Sequence, residues 1–266
     1  GLYYSTISKE NPRFVYCSIT VFGQKWKYKH KPAHDLNIVG LAGINALDDV
    51  GSACVVDIQV SALGGSMNAV SGILLALFAR ERTGQGQYVD VSLYNTALSM
   101  EATAVSSLWG CQETGAEPFG RIAHYYNIYK TKDGKYLAVG TIEPKFWQEL
   151  CRLIGRDDLG NRQFDFAHGE ELGQALAEVF LLKTQQEWLA LIDDRDFCVT
   201  PVCSLPEALN SELTSESGMI DTRNEDIGTV KYLKPAIKLS ATPGAIDRRA
   251  PRLGEHREEI LNSLGY

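Results

Sequence analysis

The chain has 266 residues, 44% of them hydrophobic, enough to bury one sizeable core or two smaller ones. A formal net charge of −7 with a pI near 5.3 argues against a nucleic-acid partner, which needs a concentrated basic surface. No apolar run stands out at the roughly 20 residues of a membrane span and no signal peptide opens the chain, so a soluble, cytoplasmic protein with no membrane partner is expected.

In chain order, residues 13–20 read as a hydrophobic strand, and 21–34 as a loop in which Lys25, Lys27, Lys29 and Lys31 alternate with aromatic side chains. That loop suits either solvent or the phosphates of a ligand. Residues 35–46 are apolar with small residues and read as a helix capped near Asp35. A Gly-rich break at 63–66 leads into a helix over 69–82, where Ile73, Leu74, Leu77 and Phe78 recur at helical spacing. Arg80 and Arg82 suit the dipole of its last turn. Gly84 and Gly86 then reverse the chain into an alternating strand over 88–93, followed by a helix over 94–110. A composition change at 112–120 marks a domain boundary.

Beyond it, strands at 125–130 and 135–141 flank Lys132-Asp133-Gly134, a hairpin signal. Helices are expected at 145–153, 170–181, 184–193 and 207–213, with Pro201 and Pro206 bracketing 202–205. A strand pair is expected at 229–238 and a last helix at 255–263. There is no internal repeat. The cysteines Cys17, Cys54, Cys111, Cys151, Cys198 and Cys203 lack metal-ligand spacing and read as reduced and structural. His30, His168 and His256 have no ligand-like spacing, so no metal is expected. No phosphate-cradling glycine motif follows a strand, which argues against a nicotinamide cofactor or ATP.

By itself the helix–turn–strand over residues 72–93, GILLALFARERTGQGQYVDVSL, is scaffold. Its wording, however, resembles class III CoA-transferases, the group that includes formyl-CoA transferase, carnitine CoA-transferase and α-methylacyl-CoA racemase. Four further segments agree in order: NPRFVYCSITVFGQ (11–24), AHDLN (33–37), YKTKDGKYLAVGTIEPKFWQELC (129–151) and APRLGEHREEILNSLGY (250–266). The resemblance implies an α/β fold: an incomplete Rossmann-like CoA-binding domain (1–114 and 231–266) lacking its N-terminal portion, with a smaller α+β domain at 115–230. It also implies an interlocked homodimer or a companion subunit. The substrates would be an acyl-CoA, with coenzyme A entering as the substrate thioester, and a small carboxylic acid.

CoA-transferase is the favoured expectation, 2-methylacyl-CoA racemase the second, and a non-catalytic partner subunit the third. In the transferases an aspartate attacks the thioester to form an acyl anhydride, whereas in the racemase branch a histidine and an acid exchange the α-proton. His34 and Asp35 match the His-Asp pair of the racemase branch, and a histidine both accepts and donates a proton near neutrality. Glu143 matches the glutamate that partners that histidine, although a carboxylate ahead of Pro144 also suits a helix start. The essential aspartate of the family falls on Ser61 or Ala62 here, neither of which is an acid. Asp57 is the nearest acid upstream. Gly64 and Gly65 are the expected oxyanion donors from a Gly-rich loop, with Ser61 beside them. His124, Tyr125 and Tyr126 lie where relatives contact the acyl group, and aromatic residues opening a hairpin equally serve packing.

Overall fold

The computed structural model describes residues 2–44, 57–114, 123–192 and 198–266, and the chain divides into two units, Gly1–Arg121 and Ile122–Tyr266. In the first unit, helix α1 (Tyr4–Glu10) precedes strand β1 (Tyr16–Thr20) and helix α2 (Asp35–Leu41). Helix α3 (Val60–Thr83), strand β2 (Tyr88–Ser92) and helices α4 (Leu93–Met100) and α5 (Ala102–Thr114) follow. Strands β1 and β2 pair in parallel, Tyr16 opposite Tyr88 and Thr20 opposite Ser92. Parallel neighbours require a crossover, and α3 provides it. The single helix expected over 94–110 is two, α4 being started by Ser92, whose hydroxyl accepts the Asn95 N–H at 3.2 Å.

Helix α3 begins earlier than its sequence suggests. The Gly-rich break expected at 63–66 is helix, because Gly64 and Gly65 are contact points and not a turn. A Cβ on Gly64 would lie 2.1 Å from Met100 Cε, one on Gly65 2.2 Å from Leu93 Cδ2, and one on Gly72 2.7 Å from Val89 Cγ1. Glycine inside a helix costs about 1 kcal/mol relative to alanine, and here the close seating of α3 on β2 and α4 offsets it. Elsewhere along α3, Met67, Leu74, Leu75 and Phe78 are exposed. Contrary to expectation, α3 is also long and apolar enough to cross a membrane, with a mean hydropathy of 1.6. The interspersed Gly, Ser and Asn break up the run to the eye while Val, Ile and Leu keep its mean high.

The end of α3 follows the sequence closely. Gly84 adopts φ +74°, and its N–H donates to Arg80 O at 2.8 Å. Gly86 is needed for a different reason: its N–H donates to Pro12 O at 2.8 Å, and a Cβ there would sit 2.1 Å from the main-chain oxygen of Phe14.

The second unit is built on a three-stranded antiparallel sheet of β3 (Tyr126–Lys130), β4 (Tyr136–Gly140) and β5 (Val199–Pro201) in the order β3-β4-β5. Helices α6 (Pro144–Leu153), α7 (Gly169–Phe180) and α8 (Gln185–Ile192) supply its core with β3 and β4, where Leu137, Trp147, Leu150, Leu172, Leu176 and Phe180 are fully buried. Asp133 in the β3–β4 turn accepts from Thr131 Oγ1 at 2.6 Å and from the Gln185 N–H at 3.1 Å. One carboxylate thus closes the hairpin and caps α8, and the Thr131 bond, with the Gln185 bond after it, holds its pKa below the usual value. The helix expected at 207–213 is two short ones, α9 (Leu205–Leu209) and α10 (Glu212–Ser217), each begun by a serine cap at Ser204 or Ser211. The strand pair expected at 229–238 is a hairpin of β6 (Ile220–Glu225) and β7 (Gly228–Leu233), and helix α11 (Arg257–Ser263) ends the chain. Residues 231–266, which the resemblance assigns to the first domain, group with the second unit.

His124 and Tyr125 are interior residues of this unit, 3% and 1% exposed. The His124 ring stands edge-on to Tyr125 and Trp147, each at 5.2 Å, and its main-chain oxygen accepts from Tyr129 Oη at 2.6 Å. Nε2 has no hydrogen-bond partner, and burial lowers the imidazole pKa below its ordinary 6.5, opposed by nearby carbonyls of Gln163 and Arg162. The cysteines divide: Cys151 is buried and its thiol is pushed up to about 12 by desolvation, whereas Cys198 and Cys203 are exposed.

Two outcomes are expected. Gly86→Val should lower stability by about 1–3 kcal/mol through overpacking against the Phe14 main chain, more than Gly84→Ala at about 1 kcal/mol from its φ alone, as read from denaturant midpoints. Because burial disfavours the charged form of His124, the unfolded chain takes up the proton first as pH falls below 6.5. The corresponding stability is present above that pH and lost as pH falls toward the lowered pKa of the ring. Thermal melts between pH 8 and the carboxylate range, about pH 4, should show this slope, and His124→Gln should flatten it.

Candidate active site

Strand β1 runs out at Thr20 into the lysine-rich loop, then into α2, so everything between residues 21 and 41 issues from the carboxyl end of a parallel strand. Ligands of parallel α/β sheets bind at that end. The loop is tied down where it leaves the sheet, with the Gln24 N–H donating to Asp90 Oδ2 at 3.1 Å and its side chain to Ser18 Oγ at 3.1 Å. Its lysines are exposed, and Lys27 and Lys31 lie over the Tyr28 ring at 5.0 and 5.8 Å.

His34 is the N-cap of α2, in extended conformation and exposed, and its N–H donates to Asn37 Oδ1 at 3.0 Å. Asp35 is the first helical residue, but its side chain serves a different helix. Asp35 Oδ1 accepts the Ser61 hydroxyl at 2.5 Å and the Ala62 N–H at 3.0 Å. Ala62 is in the first turn of α3, where the N–H groups lack helical partners, and Gln59, the N-cap, provides no side-chain bond. Asp35 therefore caps α3 from across the fold, and not α2 as its sequence position suggested.

Ser61 is fully buried while Asp35 is partly exposed, so the carboxylate is the accessible member of the pair. Asp57 stands exposed ahead of α3 and enters none of the hydrogen bonds among the described residues. Gly64 and Gly65 sit within α3, their N–H groups taken up by the helical ladder, so they do not form a loop of oxyanion donors. In the second unit, Glu143 is exposed and caps α6 ahead of Pro144 through its main-chain oxygen, with no side-chain bond. Tyr126 opens β3 with its ring half exposed. Of the residues singled out in the sequence, the structure brings together Asp35 and Ser61, a contact that spacing alone does not reveal. The signal in the sequence was a cap-forming residue near the start of each helix, and nothing there said that one would serve the other. Among the described residues, no three His, Cys, Asp or Glu side chains form a group able to hold a metal ion.

The chain matches the family model described as CoA-transferase family III over residues 1–257. It is 32% identical to the α-methylacyl-CoA racemase of Homo sapiens over 98% of this chain and 69% of that protein. With the mouse racemase (Mus musculus) the identity is 34%, over 98% and 70%. It is also 29% identical to the succinyl-CoA–L-malate CoA-transferase β subunit of Chloroflexus aurantiacus, over 99% and 69%. Among solved structures, a CAIB/BAIF family protein from Brucella suis superposes with a TM-score of 0.77 at 23% identity, covering 99% of this chain and 71% of that one. At that identity the likeness speaks for the fold. The mixed helices and sheets, the matched span and these relatives agree: the chain belongs to CoA-transferase family III, whose members act on acyl-CoA thioesters.

Proposed function

We propose that this chain moves a proton at the α-carbon of an acyl-CoA, with racemisation of a 2-methylacyl-CoA as its reaction. The observation that carries the reading is the placement of His34, an exposed histidine at the carboxyl-end side of the sheet with Asp35 next to it. An imidazole has one nitrogen that can accept a proton and one that can donate, the two capacities that exchange of an α-proton requires. The racemase relatives at 32% and 34% identity support the same choice. Coenzyme A would enter as the thioester, its phosphates meeting Lys25, Lys27, Lys29 and Lys31. The thioester carbonyl draws the electron pair left when the α-carbon–hydrogen bond breaks.

CoA transfer to a carboxylic acid is the second reading, supported by the Chloroflexus relative. It needs a carboxylate to attack the thioester, and position 61 offers a buried serine. A second chain, either another copy or a companion subunit, belongs to the proposal. Helix α3 exposes Met67, Leu74, Leu75 and Phe78, and the described β1–β2 sheet has only two strands, fewer than the covered parallel sheets of α/β proteins.

The chain, purified with any subunit it retains, should incorporate deuterium at the α-carbon of 2-methylbutanoyl-CoA in deuterated water, read by mass spectrometry. His34→Ala should slow this by about 10²- to 10⁴-fold, the usual worth of a general acid–base, with the melting temperature unchanged. CoA transfer to added succinate without α-exchange would establish the second reading instead.

A further inference from the structure

Phosphates account for the lysines of the 21–34 loop but not for the aromatic side chains set between them. The segment carries four lysines and no acid, in a chain whose net charge is −7. Within it Trp26 and Tyr28 stand 61% and 48% exposed. Such side chains, apolar in the body and polar at one end, are enriched where a protein meets a partner molecule.

The two rings are not equivalent. Tyr28 is already engaged, with Lys27 Nζ and Lys31 Nζ 5.0 and 5.8 Å from its centre and the Phe22 ring at 6.0 Å. Among the described residues, no cation and no other ring lies against Trp26, and Lys25 and Lys29 enter no ion pair. Trp26 is nevertheless held. Gly23 adopts φ +79°, and a Cβ built there would lie 3.5 Å from Trp26 Cδ1, so one edge of the indole rests beside the glycine. The Gly23 N–H donates to Thr20 Oγ1 at 3.0 Å, which fixes that glycine to the end of β1. Trp26 O accepts the Lys29 N–H at 3.0 Å, and Tyr28 O the Lys31 N–H at 2.8 Å, giving two overlapping turns. The first brings the main chains of Trp26 and Lys29 to within about 7 Å. An unengaged indole thus stands between two unengaged lysines, Lys25 next to it in the chain and Lys29 across the turn.

We infer that Trp26 is the platform on which the adenine of coenzyme A stacks, flanked by Lys25 and Lys29 for the phosphates beside it, an inference that rests on the acyl-CoA reading above. A nucleotide joins a flat π-face to several negative charges, and this pairing of indole and ammonium groups answers both parts at once. An acyl chain offers neither part, and a small carboxylic acid only a charge. Coenzyme A carries phosphates on both sides of its ribose, which matches a lysine on either side of the ring. Stacking is tolerant of the base, so the site recognises a purine nucleotide by shape and charge, without a hydrogen bond to the base edge.

The test titrates the full chain, with any subunit it retains, with coenzyme A and with ADP, by calorimetry and by tryptophan emission. Trp26→Ala should weaken both ligands by about 5- to 150-fold, the usual worth of one stacked base, with an unchanged melting temperature. Trp26→Phe keeps a π-face and should recover most of that loss. The pair Lys25→Gln with Lys29→Gln should weaken coenzyme A and flatten its dependence on salt. In the wild type ADP should quench emission, Trp26→Phe should abolish the quench, and Trp109→Phe, which removes the other exposed indole, should keep it. Equal affinity of wild type and Trp26→Ala for coenzyme A overturns the inference and leaves the acyl-CoA reading standing. Binding that depends on Trp26 in a chain showing no α-deuterium exchange upholds the inference and overturns the racemisation reading. No binding of coenzyme A by the wild type overturns the inference, and the exchange assay then decides the reading by itself.

Discussion

The first unit depends on how closely α3 can approach β2 and α4. Gly64, Gly65 and Gly72 lie where Leu93, Met100 and Val89 leave no room for a Cβ, so the helix is seated against its neighbours to within a side chain's thickness. That seating fixes where α3 begins, and the beginning of α3 is where Asp35 finds Ser61 and Ala62. A bulkier residue at either of the first two glycines would have to displace the Met100 and Thr96 or Leu93 side chains of α4. The capping of α3 by Asp35 is thus coupled to a packing constraint with no chemistry of its own.

A second theme joins the two units without implying any contact between them. In each, an aspartate on one element caps a helix belonging to another: Asp35 for α3, and Asp133 for α8. Such caps satisfy N–H groups that a helix cannot satisfy internally and tie the register of two elements together. They differ in what surrounds them. Asp133 spends its bonds on its own turn and on α8, whereas Asp35 stands beside a histidine at the end of the sheet where ligands bind.

Much of this was legible from residue patterns, and the misses have physical causes. The end of α3 at Gly84, the β3–β4 hairpin around Lys132-Asp133-Gly134 and helices α6, α7 and α8 follow from local signals: a left-handed glycine, turn chemistry and apolar periodicity. The start of α3 does not, because paired glycines favour a break locally and only the presence of Leu93 and Met100 makes them helical. The division of 207–213 into α9 and α10 turned on Ser211 starting a new helix, a competition between capping and continuation that composition does not decide. Strand β5 is three residues long and too short to show alternation. At the site, the His-Asp pair was recognisable as chemistry, but the direction of the Asp35 side chain is a tertiary fact. The same holds for His124, for which the resemblance left acyl contact and packing both open and which its burial against Trp147 places in the interior.

The stacked rings of Tyr16 and Tyr88, 5.5 Å apart and 18° from parallel, with Tyr4 tilted against them at 5.5 Å from Tyr88, join residues about seventy positions apart in the chain. Loop-closure entropy must be overcome before such non-local pairing is rewarded, and this makes parallel strand association intrinsically slow. All of α3 lies inside that loop and can form on its own timescale of about a microsecond or less, so the slow event expected for this unit is the meeting of the two strands. The tyrosine trio marks that meeting, because Tyr16 can stack on Tyr88 only when β1 lies beside β2, and Tyr4 brings α1 against the same pair.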